Sequence, residues 1–360
     1  MNQLVQMSFK NRIYPLYLFL SFWLIFSGCS TQSSNEQSKL FKIYGEAQGT
    51  TYTIQVYDSK LKFTKQEIDS LLIDFDSELS TYQNTSVVSY FNSIEFRDTL
   101  LSSNSKFIAM LELSDSVYRL SDGLFDPSIK PLIDLWGFDS ELNKVPNQGQ
   151  VDSVLRCVDF SMGTHYNLTY APDSMHKIMK YNPDFQLDFN AIAQGFAVDV
   201  VMKFIKSRGH KNVYVELGGE IALSGRKFNS EQWRIGVERP IENNSTSDKV
   251  VHKVFSITDK CIATSGDYRK YFEVNGKKYA HTINPKTGYQ NKNSLLSATV
   301  FSESCALSDA FATVFMLLGL NGTKDFMGHH PELGLDVFLI YDSENTYQTY
   351  FTEGLKSTMN

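Results

Sequence analysis

Cysteine is scarce. The chain of 360 residues holds four cysteines, and no two of them stand in C-x-x-C spacing. With Cys29 set aside for the N-terminal signal, Cys157, Cys261 and Cys305 remain. An odd set without short spacing argues against a disulfide framework and against a cysteine zinc site, and leaves small buried residues as the reading. Positive charge is also short, with 34 Lys and Arg against 40 Asp and Glu for a net charge of −6. That gives no electrostatic footprint for a nucleic acid partner. Neither a Walker loop nor a G-x-G-x-x-G turn accompanies the polar stretches, so the usual nucleotide fingerprints are missing. Past the first forty residues there is no internal repeat, long charge run or low-complexity block.

What is present begins at the N-terminus. Lys10 and Arg12 precede the apolar run Ile13 to Phe26, which is followed by "SGCS" and the polar "TQSSNEQSK". A positive start and a run shorter than the roughly 20 residues of a membrane span make a signal peptide over residues 1–28. Cys29 directly after Ser27 and Gly28 resembles the bacterial lipoprotein cleavage box, with Phe26 in place of the usual leucine. The expectation is an exported bacterial lipoprotein, lipidated at Cys29 and anchored to a membrane facing the periplasm, with residues 29–40 as a flexible tether. Ordinary secretion with a free cysteine is the plainer alternative. Residues 41–360 then form the folded domain, long enough for a real core.

Along that domain, strand-like and helix-like pieces alternate. "GTTYTIQVY" has the β-branched and aromatic density of a strand. "TKQEIDSLLIDFDSELS" carries Ile68, Leu71, Leu72 and Phe75 at helical spacing, with a Thr64 and Glu67 capping box. A second helix lies within "NSKFIAMLELSDSVYRLSDG", ending at Gly123. The clearest helix runs from Ala191 to Ser207, where Ile192, Phe196, Val200 and Phe204 form one i,i+4 row and Ala193, Ala197, Val201 and Ile205 the next. "NVYVELGGEIALSG" alternates and then breaks at Gly218 and Gly219. "DYRKYFEVNGKKYAHTI" reads as a hairpin turning at Asn275 and Gly276. "LLSATVFS" is a strand, and "SCALSDAFATVFMLLG" a helix ended by Gly319. Strands joined by hairpins with helices between them predict an α+β fold of largely antiparallel sheets.

Several polar, glycine-bearing stretches fall at the ends of these elements, where binding groups concentrate. Asp309 and Thr313 sit four residues apart on one helix face, an arrangement of hard oxygens that suits Mg²⁺. From the pair alone, the more ordinary reading is Thr313 back-bonded within its helix and Asp309 as a cap. Asp188 and Asn190 stand at a strand end just before the strongest helix, where free amides can grip a phosphate or Asn190 can simply cap. Thr264, Ser265 and Gly266 offer small residues that can lie against a ring or phosphate. Phe125 and Asp126 precede Pro127, which biases Asp126 towards extended backbone.

Read in order, "GEAQGTTYTI", "FDSELSTYQNTSVVSYFN", "SDGLFDPSIKPLIDLWGF", "LDFNAIAQGFAVD", "VELGGEIALSG", "TSGDYRKYF", "HTINPKTG" and "SCALSDAFATVFMLLG" resemble the FAD:protein FMN transferase family, the ApbE-type flavin transferases. The resemblance implies a two-lobed, T-fold-related architecture of mainly antiparallel sheets flanked by helices, with the active site in a cleft between lobes. It implies an enzyme that takes FAD as substrate with Mg²⁺ and transfers FMN to a Ser or Thr hydroxyl of an exported acceptor protein, releasing AMP. The acceptor would be a subunit of a redox or electron-transfer complex. FAD contacts carry over to Gln48, Tyr82, Leu124, Phe125, Asp126, Asp188, Gln194, Thr264, Ser265 and Gly266. Metal ligands carry over to Ala191 through its carbonyl, Asp309 and Thr313, which displaces the capping reading of that pair. His281 has a suitable side chain to act as, or to orient, the base that takes the acceptor's proton. Two positions depart from the family pattern: Asn284 stands for an aspartate and Gln194 for a lysine. FAD pyrophosphatase, with water as the nucleophile, and a non-catalytic flavin-binding lipoprotein are the alternatives.

Overall fold

The computed structural model describes residues 38–360 apart from residues 96–98, 104, 139–144, 173–174, 241–249, 267–270, 275–276, 292, 345 and 360. The expected signal peptide over residues 1–28, the expected lipidation site Cys29 and nearly all of the expected tether lie outside the described residues. In chain order the first half contains β1 (Lys39–Ala47), β2 (Thr50–Asp58), α1 (Lys65–Leu79), α2 (Val87–Ser93), β3 (Thr99–Ser102), α3 (Ser105–Leu120), α4 (Lys130–Trp136), α5 (Gln148–Leu155), β4 (Tyr166–Thr169), β5 (His176–Lys180), α6 (Ala193–Ser207), β6 (Asn212–Leu217) and β7 (Glu220–Ser224). The second half contains β8 (Trp233–Glu238), β9 (Val251–Ile257), β10 (Cys261–Gly266), β11 (Tyr271–Val274), β12 (Lys277–Ala280), β13 (Leu295–Ser302), α7 (Cys305–His329), β14 (Asp336–Ser343) and β15 (Thr346–Phe351).

One sheet organises the molecule. Its strand order is β1-β2-β6-β7-β10-β13-β14-β15, and every neighbouring pair is antiparallel. The order separates into two runs of four strands. Each run is a strand pair, a long helix and a second strand pair, with α6 in the first run and α7 in the second. The runs meet along a short seam where, among the described residues, β7 and β10 pair through Cys261 with Ala222 and Ile262 with Ile221, and the Leu223 N–H donates to the Lys260 carbonyl at 2.9 Å. The expected α+β class with mainly antiparallel pairing therefore holds.

Period-two patterning sets the faces of this sheet. Tyr52, Ile54 and Val56 of β2 lie opposite Leu217, Val215 and Val213 of β6, and all six are buried. They face the main core together with the apolar faces of α1, α6 and α7. The opposite face carries Leu223, Ile262, Phe301, Phe338 and Ile340, covered by Trp233, Ile235, Phe255 and Ile257 of the β8–β9 ribbon. A third cluster gathers Leu132, Trp136, Val151 and Ile283, so α4 and α5 support the segment that follows β12.

Local signals explain the boundaries. Thr64 and Glu67 make both bonds of the expected capping box at α1. Gly123 takes φ +72° after α3, and Gly218 and Gly219 take φ +63° and +114° between β6 and β7. Gly319, at φ +69° and ψ −175°, breaks α7 as expected, but a second helical stretch follows at once. The helix expected from Ala191 begins at Ala193, with Ile192 in the cap position and no side-chain cap. Asn190 is drawn away to Asp188 and Tyr82, the local competition that Asn side chains often win over capping. The Asn275 and Gly276 turn lies outside the described residues, although Val274 pairs with Lys277 on its two sides. Cys261 and Cys305 are buried and Cys157 is half-buried, all with free thiols.

Candidate active site

The turn between β1 and β2 is two residues long, with Gln48 at φ +52° and Gly49 at φ +70°. Positive φ at both positions fits the twist of a tight hairpin. Gln48 donates its amide to the Asp76 carboxylate of α1 at 3.0 Å, and burial pushes the Asp76 carboxyl up. Thr50 packs towards Gly218, where an added Cβ would meet its methyl at 3.0 Å and the Gln194 amide at 2.8 Å. Gln194 therefore lies over the Gly218 turn and beside the Gln48 hairpin.

The segment before α6 is braced from α2. Asn92 donates to the Leu187 carbonyl at 2.8 Å and accepts the Leu187 N–H at 2.7 Å, as a neighbouring strand would. The carbonyl of Asn92 in turn receives the ammonium of Lys180 at 2.8 Å. Lys180 is fully buried, and that burial pushes its amine down to about 8. The next residue, Asp188, is buried and accepts the Asn190 N–H at 2.7 Å and the Asn190 side-chain amide at 3.0 Å. Asn190 also donates to the exposed Tyr82 hydroxyl at 3.3 Å. The Asp188 N–H donates to the Pro127 carbonyl at 2.7 Å, joining this group to the Leu124 to Asp126 loop. In that loop the Asp126 carboxylate accepts the Ser128 N–H at 2.8 Å and the Phe160 N–H at 3.3 Å, and burial pushes its carboxyl up to about 6.

The crossing of α6 and α7 forms the centre. Asp309 accepts the Gly195 N–H at 3.0 Å, and an added Cβ on Gly195 would lie 2.8 Å from the Asp309 Cβ. Burial, with a smaller contribution from the Asp199 charge, holds the Asp309 carboxyl well above the usual carboxylate range. One turn on, the Thr313 hydroxyl lies 3.2 Å from that of Ser265. Thr264 pairs with Thr299 at 2.9 Å, and Gly266 is buried at the end of β10.

His281 follows β12 and is half-buried. Its loop is anchored by Asn284, whose side chain accepts the Lys286 N–H at 2.9 Å and donates to the Asn291 side-chain oxygen (Oδ1) at 3.0 Å, and whose backbone carbonyl takes the Gly288 N–H at 2.8 Å. Asn291 continues to the Leu317 carbonyl of α7, and Lys286 pairs with Asp122 at 2.6 Å. A cavity of about 460 Å³ opens between Tyr118, Asp122, Asp126 and Asp159 on one side and Pro285 and Lys286 on the other. Contacts thus join the start of α6 at Gln194 and Gly195 with Asp309, Thr313 and Ser265 in one group, with Gln48 held to Asp76 at the adjoining hairpin, and Tyr82, Asp188 and the Asp126 loop in a second. The His281 loop is tied to both α7 and residue 122. Sequence reasoning missed Asn92, Lys180 and Asp199, although Asn92 and Asp199 stand inside the quoted motifs.

A sequence profile of the ApbE family matches residues 48–338. The chain belongs to the ApbE family. The FAD:protein FMN transferase of Vibrio cholerae is 33% identical over 92% of this chain and 95% of its own length. That of Haemophilus influenzae is 29% identical over 91% of this chain and 94% of its own. Among solved structures, the flavin transferase ApbE from Vibrio cholerae superposes with a TM-score of 0.76 at 28% identity, covering 89% of this chain and all of that one. Family membership spans both helices of the crossing and every contact group described above.

Proposed function

We propose that this chain is an FAD:protein FMN transferase that works with a divalent cation, Mg²⁺, and passes FMN to a Ser or Thr hydroxyl of an acceptor protein with release of AMP. The observation that carries the cation part is the state of Asp309. It is a buried carboxylate with, among the described residues, one hydrogen-bond donor, Gly195 N–H. A charge so poorly compensated is costly to bury unless something neutralises it. The Thr313 hydroxyl one turn on and the Ala191 carbonyl just before α6 complete a set of hard oxygen donors, which fits Mg²⁺. Bound Mg²⁺ would neutralise the charge that builds on the FAD pyrophosphate during transfer.

The rest belongs to the chain. Asp188 and Gln194 flank the N-terminus of α6 and orient FAD there, with Gln48, Tyr82, the backbone of Leu124 to Asp126, and Thr264 to Gly266. The Asp126 carboxylate is held by Ser128 and Phe160, so its loop contributes through backbone. His281 takes the proton of the acceptor hydroxyl or orients the group that does. Asn284, standing where the family has an aspartate, shapes the loop that carries His281, and its side chain is engaged with Lys286 and Asn291. The N-terminal signal and Cys29 give the further reading of a periplasm-facing lipoprotein whose acceptors are redox subunits at the same membrane.

The test is incubation of residues 38–360 with FAD, Mg²⁺ and a candidate acceptor. A gain of one FMN in acceptor mass, abolished by chelator and by Asp309→Ala, is expected. FMN and AMP without acceptor modification would mean a pyrophosphatase, and unchanged FAD a binding protein. Full transfer by His281→Ala would remove the role given to His281.

A further inference from the structure

Two carboxylates meet at the α6–α7 crossing, and the structure treats them differently. Asp309 on α7 caps the first turn of α6, which has no side-chain cap of its own. Asp199 on α6 does the reverse: it accepts the Ser304 hydroxyl at 2.8 Å, the Cys305 N–H at 2.9 Å and the Ala306 N–H at 3.0 Å. The Cys261 thiol adds a weak fourth donor at 3.7 Å. Ser304 is itself the N-cap of α7, its oxygen accepting the Leu307 N–H at 3.4 Å while its proton goes to Asp199. Each helix therefore begins on an acid supplied by the other.

The two acids differ in what remains available. Asp199 has donors on both oxygens, three of them from consecutive residues, so an incoming ligand would have to displace helix-capping bonds. Asp309, with one donor among the described residues, keeps lone pairs for a ligand. The pair divides into an anchor and a ligand.

The anchor lies one turn before the ligands. Asp309 is four residues beyond Cys305 and Thr313 four beyond that, so any rotation or slip of the first turn of α7 is passed to both. A slip of one residue displaces a helical side chain by about 1.5 Å along the axis and about 100° around it. Mg²⁺ accepts near-octahedral oxygens within about 0.1 Å, so much smaller errors would be felt. Gly195 removes the other degree of freedom: with no Cβ, α6 closes against the Cys305 carbonyl and the Asp309 Cβ. We propose, on the basis of the cation reading above, that Asp199 is a positioning residue for the metal site. Its bonds to residues 304–306 fix the rotation and depth of α7 and so hold Asp309 and Thr313 in register with the N-terminus of α6.

The test compares wild type, Asp199→Asn and Ser304→Ala by Mn²⁺ titration, reading free Mn²⁺ by its EPR signal, and by transfer rate against Mg²⁺ concentration. Asn keeps one acceptor oxygen but turns a donor towards donors. For Asp199→Asn the Mn²⁺ Kd is expected to rise about tenfold, the ordinary cost of disturbing the partners behind a metal ligand. Ser304→Ala keeps the carboxylate and loses one donor, so a rise of about twofold to threefold is expected; it carries the test if Asp199→Asn does not fold. At saturating Mg²⁺ both variants should recover kcat with an unchanged KM for FAD, which a merely loosened fold would not do. A folded variant with wild-type Mn²⁺ affinity, or a rate that metal does not restore, overturns the role. Wild-type protein that binds no Mn²⁺ overturns the cation reading itself, and this role with it.

Discussion

Gly195→Ala tests the helix crossing with a single methyl group. An added Cβ would sit 2.6 Å from the Cys305 carbonyl carbon and 2.8 Å from the Asp309 Cβ, where ordinary contact starts near 3.4 Å. Neither neighbour is the loose end of a side chain, since one is backbone and the other the root of a buried acid. The Cys305 carbonyl oxygen is nearer still, so the helices must separate by about 1 Å, and overpacking of this kind costs about 1–3 kcal/mol. With no flexible neighbour to yield, the upper end of that range applies; alanine returns about 1 kcal/mol through its helix propensity, leaving a net loss of about 2 kcal/mol. In a domain of this size, with an unfolding entropy of about 2.1 cal/mol/K per residue, that is a fall in Tm of about 3 °C. The same displacement stretches the Gly195 N–H to Asp309 bond, so Mn²⁺ affinity should fall with stability. Thermal melts and Mn²⁺ titration on one preparation are sufficient. If the variant melted with wild type and bound Mn²⁺ equally well, the crossing would not be the close, site-defining contact argued for above.

Three further outcomes are expected. Lys180 prefers its neutral form when folded, so between about pH 8 and 10.5 the native state binds fewer protons than the unfolded chain and stability should rise with pH. The full cost below that window is about 3 kcal/mol, and Lys180→Met should abolish the rise in denaturant titrations at pH 8 and pH 10. Asn92→Ala removes both bonds to Leu187 beside Asp188, a loss of about 1–3 kcal/mol, and should raise the KM for FAD about tenfold; an unchanged KM would detach this brace from the site. Thr64→Ala breaks the α1 capping box and should lower stability by about 1 kcal/mol in urea titrations while kcat/KM stays at wild type.

The parts of this fold that are legible in sequence are those whose cause is local. Thr64 with Glu67, the alternation of β2 and β6, and the breaks at Gly123, Gly218 and Gly319 all act within a few residues, and each stands where the pattern puts it. The short strands β3, β4 and β5 offer too few residues to set a period, and although β8 alternates Trp233, Ile235 and Val237 with polar or small residues, the partner of each strand is decided by distant segments. Asn190 shows a local rule losing to another local rule: its side chain bonds back to Asp188 instead of capping α6. In the site, the spacing of Asp309 and Thr313 can be seen in sequence, whereas Asp199 reads as an ordinary polar position on an amphipathic helix. Its partners are residues 304–306, about a hundred positions away, and no periodicity announces them.

The seam between β7 and β10 has a consequence for measurement. Two residue pairs and the Leu223 N–H bond to the Lys260 carbonyl join the halves of the sheet there, while β6 and β7 pair over five residues and β10 and β13 over six. Across the same divide, α6 and α7 are stitched by Asp199 and Asp309. Whatever neutralises Asp309 therefore acts at the joint between the halves as well as on a substrate. In hydrogen-exchange terms, amides flanking the seam should report ligand occupancy, slowing when the joint is tightened by RT ln(1 + [L]/Kd), with no chemistry taking place.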